Sequence, residues 1–135
     1  MKKILLIVLC FTLLFSFVAC SGYVSSYKAL MFVREEHTDH ASIRFSSLEG
    51  TYVMKLKMKG EGQEGSIHCV ASLEEGEINV WYDALGTKEL LFNLKAGESI
   101  DEHLGYVESG KTVYVIVETV TPAKEGKITI DLRKS

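Results

Sequence analysis

The sequence predicts an all-β protein, an antiparallel two-sheet β-sandwich of about eight strands preceded by a signal-peptide helix. Three observations lead there. Ten of the eleven glycines (Gly50, Gly60, Gly62, Gly65, Gly76, Gly86, Gly97, Gly105, Gly110 and Gly126) punctuate the chain, and the runs between them are short and rich in Val, Ile, Thr, Tyr and Phe. Apolar and charged residues alternate with period two in the clearest of those runs. No convincing long helix follows the N-terminal apolar run, although a helical turn is possible over 23–31.

The N-terminal run comes first. Met1-Lys2-Lys3 precedes an uncharged stretch from Ile4 to Ala19, the basic and apolar regions of a secretory signal. Its 16 residues fall short of the roughly 20 that a membrane-spanning helix needs. The strands then follow in order. Lys28 to Glu36 is a plausible first strand, and Ser42 to Leu48 a second, ending at a turn over Glu49-Gly50. In Thr51 to Lys59, Tyr52, Met54, Leu56 and Met58 share one face, and Lys55, Lys57 and Lys59 the other. After a glycine-rich loop at 60–65, Ser66 to Leu73 and Ile78 to Asp83 flank Glu74-Glu75-Gly76-Glu77, which reads as a hairpin. Glu89 to Leu94, Thr112 to Thr119 and Lys127 to Leu132 complete the set. Ser99 to His103 is polar and makes a poor central strand. Short connections favour antiparallel pairing, and two packed sheets bury the apolar faces. The expected organisation is a signal peptide over 1–19, a tether over 20–27 and the sandwich over 28–135.

The apolar run ends Phe17-Val18-Ala19-Cys20-Ser21-Gly22. A small residue followed by Cys resembles the lipobox of bacterial lipoproteins, although Phe17 stands where that family favours Leu. The resemblance implies acylation of Cys20, which would become the first mature residue, and a position on the outer face of a cell membrane. Phe45 to Thr51, Glu75 to Val80, Lys111 to Glu118 and Gly126 to Ile130 also look like the hairpins of small Gram-positive lipoproteins with a jelly-roll-like sandwich. That resemblance implies a jelly-roll-like strand order. It brings no activity with it.

Loss of residues 1–19 removes Lys2 and Lys3 but no acid, leaving 13 basic against 18 acidic residues, a net charge of −5. An acidic domain is a poor partner for nucleic acid or anionic lipid. Cys20 assigned to lipid leaves Cys69 alone in Ile67-His68-Cys69-Val70-Ala71, a small buried hydrophobe without a disulfide.

Gly105-Tyr106-Val107-Glu108-Ser109-Gly110-Lys111-Thr112 matches the phosphate-loop pattern letter for letter. The chemistry of that pattern needs a helix after the loop to hold phosphate at its N-terminus. Here Val113-Tyr114-Val115-Ile116-Val117 follows, a strand sequence, and Glu108 would set a carboxylate against the phosphates. No nucleotide is expected, and no cofactor.

Two surface features can bind. Asn79, Trp81 and Asp83 share one face of their strand, opposite the core face of Ile78, Val80 and Tyr82. The chain's one Trp between small polar residues suits a sugar ring and its hydroxyls. His37, Asp39 and His40 fall in a short charged turn and are suitable metal ligands; Asp101-Glu102-His103 is a weaker case. No G-x-S-x-G, H-E-x-x-H or C-x-x-C occurs, and His68 and Cys69 point to opposite faces as strand neighbours. The expected function is therefore non-enzymatic: a membrane-anchored binding module for an envelope protein or glycan. A structural lipoprotein without a ligand, or a carbohydrate-binding module using Trp81, are the alternatives.

Overall fold

The computed structural model of the chain describes residues 23–135; Cys20 and the expected signal peptide lie outside them. No helix among the described residues is long and apolar enough to cross a membrane. Seven strands form: β1 (Ser26–Leu30), β2 (Val33–Glu36), β3 (His40–Lys57), β4 (Glu64–Asp83), β5 (Lys88–Lys95), β6 (Ser99–Glu108) and β7 (Thr112–Lys134). All pairings are antiparallel.

Three of these strands are long enough to serve two layers. In the first layer the order is β2, the start of β3, the end of β7, the start of β4, then β6. In the second it is the end of β3, the start of β7, the end of β4, then β5. β1 pairs with Ser47 to Thr51 of β3, where one layer passes into the other. This is the pairing of a jelly-roll sandwich.

The parity of buried positions records the fold line. In β3 the buried residues are Ala41, Ile43 and Phe45, then Leu48, Tyr52, Met54 and Leu56. In β4 they are Ile67, Cys69, Ala71 and Leu73, then Ile78, Val80 and Tyr82. In β7 the core-facing residues are Val113, Val115 and Val117, then Ala123, Ile128, Ile130 and Leu132, while Ile116 is buried on the opposite face. Odd and even exchange once in each strand, between Phe45 and Leu48 in β3, between Leu73 and Ile78 in β4 and between Ala123 and Ile128 in β7. Because side chains alternate, this exchange of facing lets each strand keep its apolar side inward after turning the corner. All these core-facing residues join one core, which β6 also enters through Val107.

Gly50 and Gly76 stand on the fold line at φ +118° and +90°. A Cβ at Gly76 would lie 2.3 Å from the Pro122 carbonyl oxygen, and one at Gly50 2.3 Å from that of Ser26. Only glycine permits both the dihedral and the approach. The Thr119 hydroxyl ties the corner by accepting from Gly50 N at 2.8 Å.

The structure corrects several strand boundaries. Glu49-Gly50 and Glu74-Glu75-Gly76-Glu77 are corners in continuous strands; the chain does not reverse at either, so the second is not a hairpin. Thr112 to Thr119 and Lys127 to Leu132 are two parts of β7. The expected first strand over 28–36 breaks at Met31, at φ 48°, into β1 and β2. Ser99 to Glu108 is a strand despite its polarity, because it lies at an edge with one side and much of its face in water. Tyr23 and Ser25, in the stretch expected as a tether, contact the sandwich: Tyr23 Oη donates to Asp83 Oδ2 at 2.7 Å, and Val53 N donates to Ser25 Oγ at 2.9 Å.

Candidate functional site

The outer face of the second layer is set by cross-strand register. Leu90, Trp81, Ile116 and Val53 form one row across it. Lys88, Asp83, Tyr114 and Lys55 form the next on one side, and Asn93, Asn79, Glu118 and Thr51 on the other. An apolar row thus runs between two polar ones. Trp81 is half-buried. Its indole Nε1 is buried without a partner, so the N–H edge is turned into the protein. Lys88 Nζ lies 4.9 Å from the ring centroid and 3.9 Å from Glu118 Oε2, so this lysine spans the indole as a movable cover.

The polar neighbours are already engaged. Asn93 Nδ2 donates to Asn79 Oδ1 and to Glu77 Oε2, both at 2.8 Å. Asp83 accepts from Tyr23 and, through Oδ1, from Gly86 N at 2.8 Å. Tyr23 also packs on Tyr114, ring centroids 5.3 Å apart. Its hydrogen bond to the Asp83 carboxylate, then desolvation, raise its pKa above the usual phenol value. Asn79, Trp81 and Asp83 do share a face, as their spacing implied. Tyr23, Lys88, Tyr114 and Glu118 were missed as members of it. Only strand pairing brings them there, although the alternation Tyr114, Ile116, Glu118 along β7 was a usable signal.

The chain's four histidines all map to the other layer. His40 pairs across to Asp131, Asp131 to His68, and His68 to His103. The His68 and His103 rings stack at 4.5 Å and 16°, and His68 Nε2 lies 2.6 Å from Asp101 Oδ1. His40 Nδ1 contacts Asp131 Oδ1, and His37 Nε2 contacts Glu35 Oε1 at 2.8 Å. That contact holds the Glu35 carboxyl below its usual pKa. Of the expected trio His37, Asp39 and His40, the two histidines lie side by side, centroids 5.9 Å apart. Asp39 contributes a backbone carbonyl, which accepts from Leu132 N at 2.9 Å, and the carboxylate beside His40 belongs to Asp131. Among the described residues no three His, Cys, Asp or Glu side chains converge as a metal cage.

A shallow groove of about 470 Å³ lies beside this row, lined by Val70, Ser72, Ser99, Asp101, Lys127 and Thr129 among others. It contains no aromatic side chain. Cys69 is fully buried beneath, its thiol pushed up to about 12 by desolvation and then by the Glu102 charge. Gly105 to Thr112 is strand, turn and strand, with Gly110 at φ 80° and Lys111 Nζ 2.9 Å from Glu108 Oε2.

No protein-family model and no curated protein matches the sequence. Among solved structures the chain is similar to family 29 carbohydrate-binding modules. A CBM29-2 variant complexed with mannohexaose shares 17% identity over 83% of this chain and 79% of that one, with a TM-score of 0.41. A second variant, complexed with cellulohexaose, shares 16% over 83% and 78%, also at 0.41. At that identity no residue role transfers between the chains.

Proposed function

We propose that the chain is an extracytoplasmic, lipid-anchored module that binds a glycan on the outer face of its second layer. The observation that carries the glycan reading is the row through Trp81: a half-buried indole beside the buried Ile116 and the exposed Leu90, with amide and carboxylate groups in the rows beside it. Sugar rings stack on aromatic faces while their hydroxyls donate to carboxylates and exchange hydrogen bonds with amides. The basic and apolar N-terminal run and the Ala19-Cys20 junction support the anchor. Tyr23 rests on the same face, and three residues of extended chain span at most about 11 Å. A lipid on Cys20 would therefore hold this face close to the membrane, where a glycan lying near the bilayer surface is within reach.

The test is calorimetric titration of the full-length chain with cellulohexaose, mannohexaose and soluble peptidoglycan fragments. Trp81→Ala is expected to weaken binding at least about thirtyfold, the loss typical of a buried aromatic anchor. Lys88→Ala, which removes a competing cation–π contact of roughly 0.5–1 kcal/mol, should leave affinity unchanged or tighten it by up to about fivefold. Sugar binding that survives Trp81→Ala would move the site elsewhere, and no binding to any of the three probes would end the glycan reading. The anchor is tested separately, by mass spectrometry of the membrane-extracted protein. A diacylglyceryl-modified Cys20 at the mature N-terminus is expected, and an unmodified thiol there refutes the anchor.

A further inference from the structure

We propose that His37 and His40 together bind one late first-row transition-metal ion, at the hairpin between β2 and β3. The argument begins with the two carboxylates. Glu35 and Asp131, when ionised, only accept hydrogen bonds, so each takes an N–H from its histidine. In His37 the bonded nitrogen is Nε2, and in His40 it is Nδ1. A neutral imidazole has one N–H, so His37 Nδ1 and His40 Nε2 remain as lone pairs. Metal-ligating histidines typically use one nitrogen for the metal and give the other N–H to a carboxylate that orients the ring. Both rings already have that arrangement, and they stand next to each other.

The spacing fits a single ion. With metal–nitrogen bonds of about 2.0–2.1 Å, two imidazoles on one ion have centroids up to roughly 6.4 Å apart; here the separation is 5.9 Å. The backbone beneath is held firmly. His37 N donates to His40 O at 2.7 Å, closing the turn. The carbonyls of the two turn residues are pinned from different strands, Thr38 O by Lys57 N at 2.7 Å and Asp39 O by Leu132 N at 2.9 Å. The remaining coordination positions open to water, since His37 is largely exposed and His40 is partly so. Two imidazole nitrogens and water suit Cu²⁺ above Zn²⁺ and exclude a preference for Mg²⁺ or Ca²⁺.

The rival pair is His68 and His103. There His68 Nε2 is occupied by Asp101 and Nδ1 is buried. Metal at Nε2 would leave a buried N–H without an acceptor, which is unfavourable. The hairpin pair carries no such penalty.

The experiment is titration of the full-length chain with Cu²⁺ and with Zn²⁺ by calorimetry, with EPR spectra of the Cu²⁺ form. One ion per chain, micromolar affinity, tighter binding of Cu²⁺ and hyperfine coupling to two nitrogens are expected. His37→Ala and His40→Ala should each lose the two-nitrogen signature. Asp131→Asn should weaken binding about 10- to 100-fold while both nitrogens remain coupled, as an orienting partner does. His68→Ala and His103→Ala should change nothing. Binding that survives both hairpin substitutions, binding that falls with His68→Ala, or an absence of micromolar binding overturns the proposal.

Discussion

Gly76→Ala is expected to destabilise the domain by roughly 2–6 kcal/mol, and so to lower its melting temperature by about 8–24 °C. Two costs add. A side chain at φ +90° is confined to sparsely populated backbone conformations, worth about 1–3 kcal/mol. The new Cβ would also meet Pro122 O at 2.3 Å and Ala123 Cα at 2.8 Å. Those are backbone atoms that cannot rotate away, and relief requires moving β7 at the cost of about 1–3 kcal/mol more. Gly97→Ala separates the two. Its φ is +81° and nothing lies within 4 Å of the added carbon, so it bears the dihedral cost alone. Equal melting temperatures for the two variants would show that close approach of β4 and β7 does not set the corner.

Tyr52→Ala is expected to cost a similar 3–5 kcal/mol, the range for deleting a buried aromatic side chain. The ring is 2% exposed. Tyr27 and Phe32 each meet it at an angle, at 5.3 and 5.1 Å, and Tyr27 and Phe32 lie 5.2 Å from each other. Tyr52 Oη donates to Glu36 Oε1 at 2.5 Å. One side chain from the second layer thus fastens β1, the Met31 break and β2 against the sandwich. Hydrogen exchange should show β1 and β2 opening ahead of the core in Tyr52→Ala. Tyr52→Phe, which loses the hydroxyl alone, should cost about 1 kcal/mol.

The same residue sets an alkaline limit. Desolvation first, then the hydrogen bond to Glu36, push the Tyr52 pKa up to about 12 from 10.0. The folded state therefore holds this proton more tightly than the unfolded chain. Its contribution is complete below about pH 10 and is lost as pH rises toward 12. Tyr52→Phe should flatten the decline in stability across that window. An unchanged slope would assign the alkaline transition to other groups.

The legibility of the site followed that of the fold. Trp81 and its neighbours two positions away were readable because strand alternation is local. The Asp131 partner of His40 was not, since it lies 91 residues away and no periodicity links the two. Asp39, the acid nearest in sequence, was the natural choice, yet register gives the contact to Asp131. β6 escaped notice for a related reason. An edge strand buries little, so its apolar pattern is weak.

By itself the sequence determined the all-β class, the inward faces of the second halves of β3 and β4, the burial of Cys69 and the turn at Gly110. Each depends on side-chain alternation or on a glycine dihedral, properties that act within a few residues. Only the tertiary structure decided whether Gly50 and Gly76 reverse the chain or bend it. Both outcomes use a glycine at positive φ between two apolar runs. The choice rests with β7, whose 23 residues pair with both halves of β3 and β4 and keep the chain running through each corner. Register along that strand also places His40, His68 and His103 in one row on the first layer and Trp81 on the second, because pairing partners are chosen by long-range hydrogen bonds.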